Sequence, residues 1–332
     1  MATYYDIFGQ KVQYLASDPS PVTTGQVWYN STSNTAKVEG YATAAWTTGN
    51  NMTGTSVRAF QSTGSVTAAV ANGGVSSSAH INQTSNWDGT SWSTGTGSPV
   101  SGYSRVGFGT QTAAVFAGGQ NGPSTLYTTI NEYNGSSWTT SPGTLAQTTR
   151  SARGTGTQTA GFIAAGSSGD PPTKLNQAYD YDGTCVAAVT SAPTAVDNAG
   201  GSGSSQSAFI LYGGEAAPGI TNATVNWNGT SWTTLNSLNN GSQNVAGTFS
   251  SSTSALFAAT SWPAVAPNEQ WDGTCWTVIA NLSSQRVNSC GSGTGASAFI
   301  AGGYDNSGPD QNTLATELWT GAGPVTKTLT TS

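Results

Sequence analysis

The feature of this 332-residue chain that most restricts its fold is an internal repeat. Six times, a run of small apolar residues ends in Gly-Gly or a degenerate form of it. The runs are residues 68–74 (AAVANGG), 113–119 (AAVFAGG), 161–166 (GFIAAG), 208–214 (AFILYGG), 255–260 (ALFAAT) and 298–303 (AFIAGG). Each is followed by an aromatic residue, a turn-like tetrapeptide and, usually, a tryptophan: Trp87-DGTS-Trp92, Tyr133-NGSS-Trp138, Tyr181-DGTC-Val186, Trp227-NGTS-Trp232, Trp271-DGTC-Trp276 and, degenerately, Trp319-TGAG-Pro324. The first aromatic recurs at a mean period of about 46 residues, the length of a repeat that must stack on its neighbours to bury its apolar face. A half copy, Tyr41-ATAA-Trp46, stands one period ahead of Trp87 and Trp92.

Each copy reads as four short strands. Strand a precedes the apolar run, as in residues 104–109, and strand b is the run itself. Strand b is apolar on successive residues, so both its faces should be buried. Its small side chains suit crowding near an axis. Strand c ends at the first aromatic and strand d contains the second. Asp-Gly or Asn-Gly between them predicts a two-residue hairpin loop. That loop would pair Trp87 with Thr90 and Ser85 with Trp92. The two indoles would then be diagonal neighbours on one face, about 7–8 Å apart. Trp87, Trp92, Tyr133, Trp138, Tyr181, Trp227, Trp232, Trp271, Trp276 and Trp319 are therefore read as the slab by which each unit presses on the next.

Four strands per copy at this period describe a β-propeller blade. The order Gly-Gly, aromatic-Asp/Asn, Trp resembles the kelch repeat over residues 56–321. It departs from the kelch pattern in a shorter c–d turn, with Thr260 and Val186 at signature positions. The expectation is an all-β, kelch-like propeller of four-stranded blades at residues 26–332. Residues 56–332 supply six repeats. Residues 26–55 supply a partial first blade, from strand-like runs at 26–30, 35–41 and 45–48. Residues 325–330 are read as the missing innermost strand or as the last strand d. Seven blades are expected, with six as the alternative, closed by strands from both chain ends so that no edge is exposed.

Composition narrows the function. Charged residues are 7% of the chain, where about 25% is usual. Nine scattered Lys and Arg in a chain of net charge −6 give no cationic stripe for nucleic acid. No apolar run is long enough to predict a membrane span. The start, MATYYDIFGQ, has neither the basic nor the apolar region of a Sec signal peptide. Cys185, Cys275 and Cys290 form no C-x-x-C, so neither a disulfide framework nor a zinc site is expected. His80 is the only histidine, so a catalytic triad or a multi-histidine copper centre would rest on it alone. Kelch-like propellers include copper radical oxidases, which need several His and Tyr ligands. A propeller sialidase would carry Asp-box motifs, and none occurs. No enzyme activity, metal or cofactor is expected.

The long b–c and d–a connections should share one face of the ring and carry the binding surface. Arg58, Arg105, Arg153 and Arg286 precede or begin strand a on that face. They read either as structural donors to backbone carbonyls or as an anion-binding ring. Trp262 is a candidate stacking platform. Asp170, Glu215, Asp305 and Asp310 lie in the same loops without a calcium-loop pattern.

Residues 1–25 lie outside the repeat and carry Tyr4, Tyr5, Ile7, Phe8, Val12, Tyr14 and Leu15. So apolar an arm should bury against something. Residues 18–38 (DPSPVTTGQVWYNSTSNTAKV) resemble segments of bacteriophage virion and tail-fibre proteins, where G-x-V-W-Y-N opens a small hairpin. The resemblance implies a structural appendage of a virion, attached to other virion proteins through residues 1–25. The propeller would face a host surface, with a host-surface glycan and a second copy of the chain as further candidate partners. A glycan- or protein-binding propeller unconnected with a virion, extracellular or cytoplasmic, is the alternative.

Overall fold

The computed structural model describes residues 12–55, 57–77, 79–244, 248–249, 251–257, 267–305 and 312–329, and every regular element among them is a strand. The chain divides into two compact units, Trp46–Trp319 and Met1–Ala45 with Thr320–Ser332.

The described residues of the larger unit form six blade sheets. In the first, Gln61–Ser65, Ala68–Asn72, Thr84–Trp87 and Trp92–Gly95 pair in sequence as strands a to d. The same order recurs at residues 106–144, 153–189 and 200–235. At residues 255–278 three strands pair, with Thr248–Phe249 before them. The last blade takes Cys290–Gly293, Ser297–Ala301 and Thr316–Thr320 and borrows its outermost strand, Ala45–Gly49, from the other end of the chain. The inner strands lie one against the next, and Cys290–Gly293 returns to Gln61–Ser65. Six inner strands thus close the ring. The expected seventh blade is not formed, because of the strands within residues 26–55 only Ala45–Gly49 pairs in a blade. Val27–Asn30 and Thr35–Ala42 pair in the smaller unit, as does Gly323–Leu329, which is neither an innermost strand nor a strand d.

The c–d connection also differs from expectation. Trp87 pairs directly with Trp92, not diagonally, and four residues form the loop. Asp88 replaces the two-residue turn chemistry: its Oδ1 accepts the backbone N–H of Thr90 at 2.8 Å and of Ser91 at 2.7 Å. A short polar side chain that satisfies its own loop competes well with the tighter hairpin. These donors hold the Asp88 carboxyl well below the usual carboxylate range. Asn134, Asp182, Asn228 and Asp272 do the same in four later blades. The indoles of Trp87 and Trp92 still share a face, now with ring centroids 5.2 Å apart.

Polar tips tie these aromatics in two directions. The first indole donates to its own blade's a–b turn, Trp87 to Val66 O at 2.7 Å and Trp319 to Gly295 O at 2.7 Å. The second reaches back to the preceding blade. Trp92, Trp138 and Trp276 donate to the Oγ1 of Thr316, Thr84 and Thr224 at 2.9, 3.2 and 3.0 Å. Each of these threonines stands three residues before a first aromatic. Where Val186 replaces the second tryptophan, the preceding blade has Ile130 in place of threonine, and the two share one apolar cluster. The Gly-Gly pair has a similar role between blades. A Cβ at Gly118, whose φ is +60°, would stand 2.2 Å from Thr149 O, and Gly119 N–H donates to that same carbonyl at 2.7 Å.

In the smaller unit, Val27–Asn30 and Thr35–Ala42 make the expected hairpin, flanked by Gln13–Leu15 in parallel and Gly323–Leu329 antiparallel. Asp18 organises it. Its carboxylate accepts Trp28 Nε1 at 3.0 Å, Asn30 Nδ2 at 2.7 Å and Lys37 Nζ at 2.7 Å. Trp28 is fully buried. The Lys37 bond first, then those of Asn30 and Trp28, hold the Asp18 carboxyl down to about 2.

Two outcomes are expected. Thr316→Val leaves the Trp92 indole unpaired and should cost about 1–3 kcal/mol, and Trp92→Ala about 3–5 kcal/mol, measured by denaturant unfolding. In the smaller unit, ionised Asp18 stabilises because its folded pKa lies below its unfolded one. That contribution is complete above about pH 4 and is lost as pH falls towards 2. The Trp28 indole N–H resonance should report this step, and Asp18→Asn should abolish it.

Candidate functional site at the mouth of the ring

The residue after each Gly-Gly runs on past strand b and bridges back to the segment that enters strand a. The bridged pairs are Arg58 with Val75, Tyr103 with Gln120, Arg150 with Ser167, Asp197 with Glu215 and Val287 with Tyr304. Next after the first member of each pair comes a residue in left-handed conformation: Ala59, Ser104, Ser151, Asn198 and Asn288, with Asn244 as the sixth, all at φ between 53° and 59°. Such φ values are uncommon outside glycine. Here they turn each backbone toward its neighbour. Ser104 N–H donates to Ala59 O at 2.7 Å, Ser151 to Ser104 at 2.8 Å, Asn244 to Asn198 at 3.0 Å, Asn288 to Asn244 at 3.4 Å and Ala59 to Asn288 at 2.7 Å. Asn198 instead donates to Asp197 Oδ1 at 2.8 Å. The result is a hydrogen-bonded rosette around the axis.

Above the rosette lies a depression of about 450 Å³. Its walls carry Arg58, His80, Tyr103, Gln120, Arg150, Pro172, Asp197 and Glu215, and its floor carries the rosette side chains. The His80 ring stacks on Tyr103, with centroids 4.9 Å apart, and its Nδ1 is 2.7 Å from Asn121 Oδ1. Arg58 lies 4.9 Å over the Tyr304 ring. Arg150 donates to Gln120 Oε1 and, at 3.3 Å, to Ser167 Oγ. Glu215 pairs with Lys174 at 3.1 Å. Burial pushes the Asp197 carboxyl up, against the opposing pull of Ser167, the Asn198 N–H and Arg150. Among the described residues no group of three or more His, Cys, Asp or Glu could hold a metal ion. A second recess, about 470 Å³, opens among the a–b turns and is lined by uncharged residues, Phe108 and Gln111 among them.

Between the two readings of the four arginines, structural donors or an anion-binding ring, the structure separates Arg58 from the other three. Counted from the left-handed residue, Arg58 stands one before it, Arg105 one after, Arg153 two after and Arg286 two before. Their side chains therefore leave the backbone in different directions. Arg105 is buried and donates to Asn72 Oδ1 at 3.1 Å and to Phe116 O and Asn131 Oδ1 at 2.6 Å each. Buried Arg153 donates to Ala199 O at 2.6 Å. Burial lowers both guanidiniums to about 10. Arg286 pairs with Glu317 at 2.8 Å, both inaccessible. These three follow the structural reading. Arg58 alone of the four lines the mouth, joined by Arg150, which the sequence reading passed over. Arg150 holds the same place before its left-handed residue as Arg58, an equivalence that only the fold reveals. Trp262 and Asp310 lie outside the described residues. The signature aromatics are buried, apart from half-buried Trp138 and Trp232.

No family model and no curated protein sequence matches the chain. Among solved structures, one titled "Structure of YjhT" superposes with a TM-score of 0.66 at 13% identity, over 82% of this chain and 99% of that one. The likeness is one of fold. With the four-stranded sheets, it makes this chain a β-propeller in fold.

Removing one partner of the inaccessible ion pair, by Glu317→Ala, should cost about 3–5 kcal/mol. Arg58→Gln at the open mouth should change stability by less than about 0.5 kcal/mol. Denaturant unfolding of both variants checks the division between structural and mouth arginines.

Proposed function

We propose that this propeller is a binding protein, not an enzyme, carried on a virus particle and turned toward a host surface. The observation that carries the binding half is the contrast at the mouth. A backbone frame repeated from blade to blade presents side chains that vary in size and charge at equivalent positions of the mouth: Arg58, Tyr103, Arg150 and Asp197. Catalysis would need groups poised to move protons or attack. His80 is instead held by Asn121 and Tyr103, and Glu215 by Lys174.

The smaller unit supports the attachment half. Strand alternation sets Tyr14, Val27, Tyr29, Ala36, Val38 and Leu329 on one sheet face, with Lys327 opposite Val38 and Val12 just ahead of the first strand. Val12, Tyr14 and Leu329 are 55%, 75% and 50% exposed, respectively. Open apolar surface of this kind is a mark of an interaction site. The virion resemblance falls on this unit, and its Trp28, Asn30 and Lys37 are the residues that Asp18 gathers. Residues 1–11 of the expected arm lie outside the described residues.

Particles made from the genome that encodes this chain should contain it on immunogold labelling. Tyr14→Ser with Leu329→Ser should reduce its incorporation by roughly tenfold or more while the ring melts normally. Particles that lack the chain would sink the virion reading and leave a free binding propeller.

A further inference from the structure

This inference rests on the mouth being the binding surface. We infer that the mouth takes an anionic saccharide, a sugar unit bearing a carboxylate or sulfate, with Arg58 and Arg150 meeting the charge and the Tyr103–His80 pair meeting the ring.

The two guanidiniums occupy the same position in the first and third blades. Among the described residues neither has a carboxylate within 4.0 Å. Each is oriented without a direct ion pair, Arg58 by the face of Tyr304 and Arg150 by the uncharged oxygens of Gln120 and Ser167. A guanidinium offers five N–H donors in a planar fork, so both keep donors for a planar or tetrahedral anion. In a chain with five arginines and net charge −6, two such groups at one opening are a concentrated feature.

The rest of the mouth selects a sugar over a bare anion. Between the two arginine blades stands the Tyr103–His80 stack, a flat surface suited to the C–H face of a pyranose. On the floor, the side-chain amides of Asn198, Asn244 and Asn288 make no hydrogen bond to a described residue and offer both donors and acceptors to hydroxyls. Asp197 and Glu215 would repel a multiply charged inorganic anion, yet they accept well from hydroxyl donors.

The test uses the full chain on an array that pairs acidic saccharides with neutral counterparts: oligogalacturonides with their carboxyl-reduced forms, and sulfated dextrans with dextran. At least one acidic member should be retained. Its binding should fall by about tenfold or more when the charge is removed, and equally in Arg58→Gln or Arg150→Gln. Equal retention of both forms, retention of neutral members only, or no retention overturns the anionic class. Neutral binding that is lost on Tyr103→Ala would still leave the mouth as the site, whereas binding indifferent to every mouth substitution would remove it. Particle incorporation of the arginine variants should be unchanged, so failure of the ligand and failure of attachment are read separately.

Discussion

The structure depends on an indole N–H that must be satisfied when its ring is buried between blades. A buried aromatic contributes its apolar area in any orientation, but an unpaired polar tip would cancel much of that gain. Trp92, Trp138 and Trp276 solve this by donating to a threonine of the preceding blade, which fixes the angle between neighbours. Trp46 closes the circuit, its indole donating to Ala280 O at 2.9 Å while its ring packs on Trp319. The exchange of Trp and Thr for Val186 and Ile130 at one interface obeys the same rule, since removing donor and acceptor together leaves nothing unsatisfied.

A rigid ring allows close approach at its axis. The Gly-Gly segments bring each blade within backbone hydrogen-bond reach of the next. The rosette carries that contact to the centre and holds Ala59, Ser104 and Ser151 at φ values costly for their residue types. Strain repeated blade after blade belongs to the frame, and the side chains it projects into the mouth are free to differ. Frame and mouth thus use adjacent residues: Arg105 and Arg153 lock blades together, whereas Arg58 and Arg150, a few positions away in the repeat, line the opening.

Much of the larger unit was legible in the chain, because its blades are copies and repetition marks them out. The strands, the buried small-residue run, the paired aromatics and the two unequal faces all followed from period and pattern. The c–d loop did not, since Asp-Gly and Asn-Gly serve a two-residue turn and a side-chain-closed four-residue loop equally well. The count of seven failed at residues 26–42, whose alternation suits any antiparallel sheet and carries no sign of which sheet it joins.

By itself the sequence determined the repeating unit, since a period of apolar, glycine and aromatic residues admits few ways of burying its surface. It also determined the hairpin around Trp28, where local spacing sufficed. Only tertiary structure decided that six inner strands close the circle, that Ala45–Gly49 completes the last blade, and which arginines face the mouth. Those outcomes turn on contacts between residues distant in the chain and on a one-residue difference in offset from a left-handed position, and such a difference redirects a side chain without changing the composition around it.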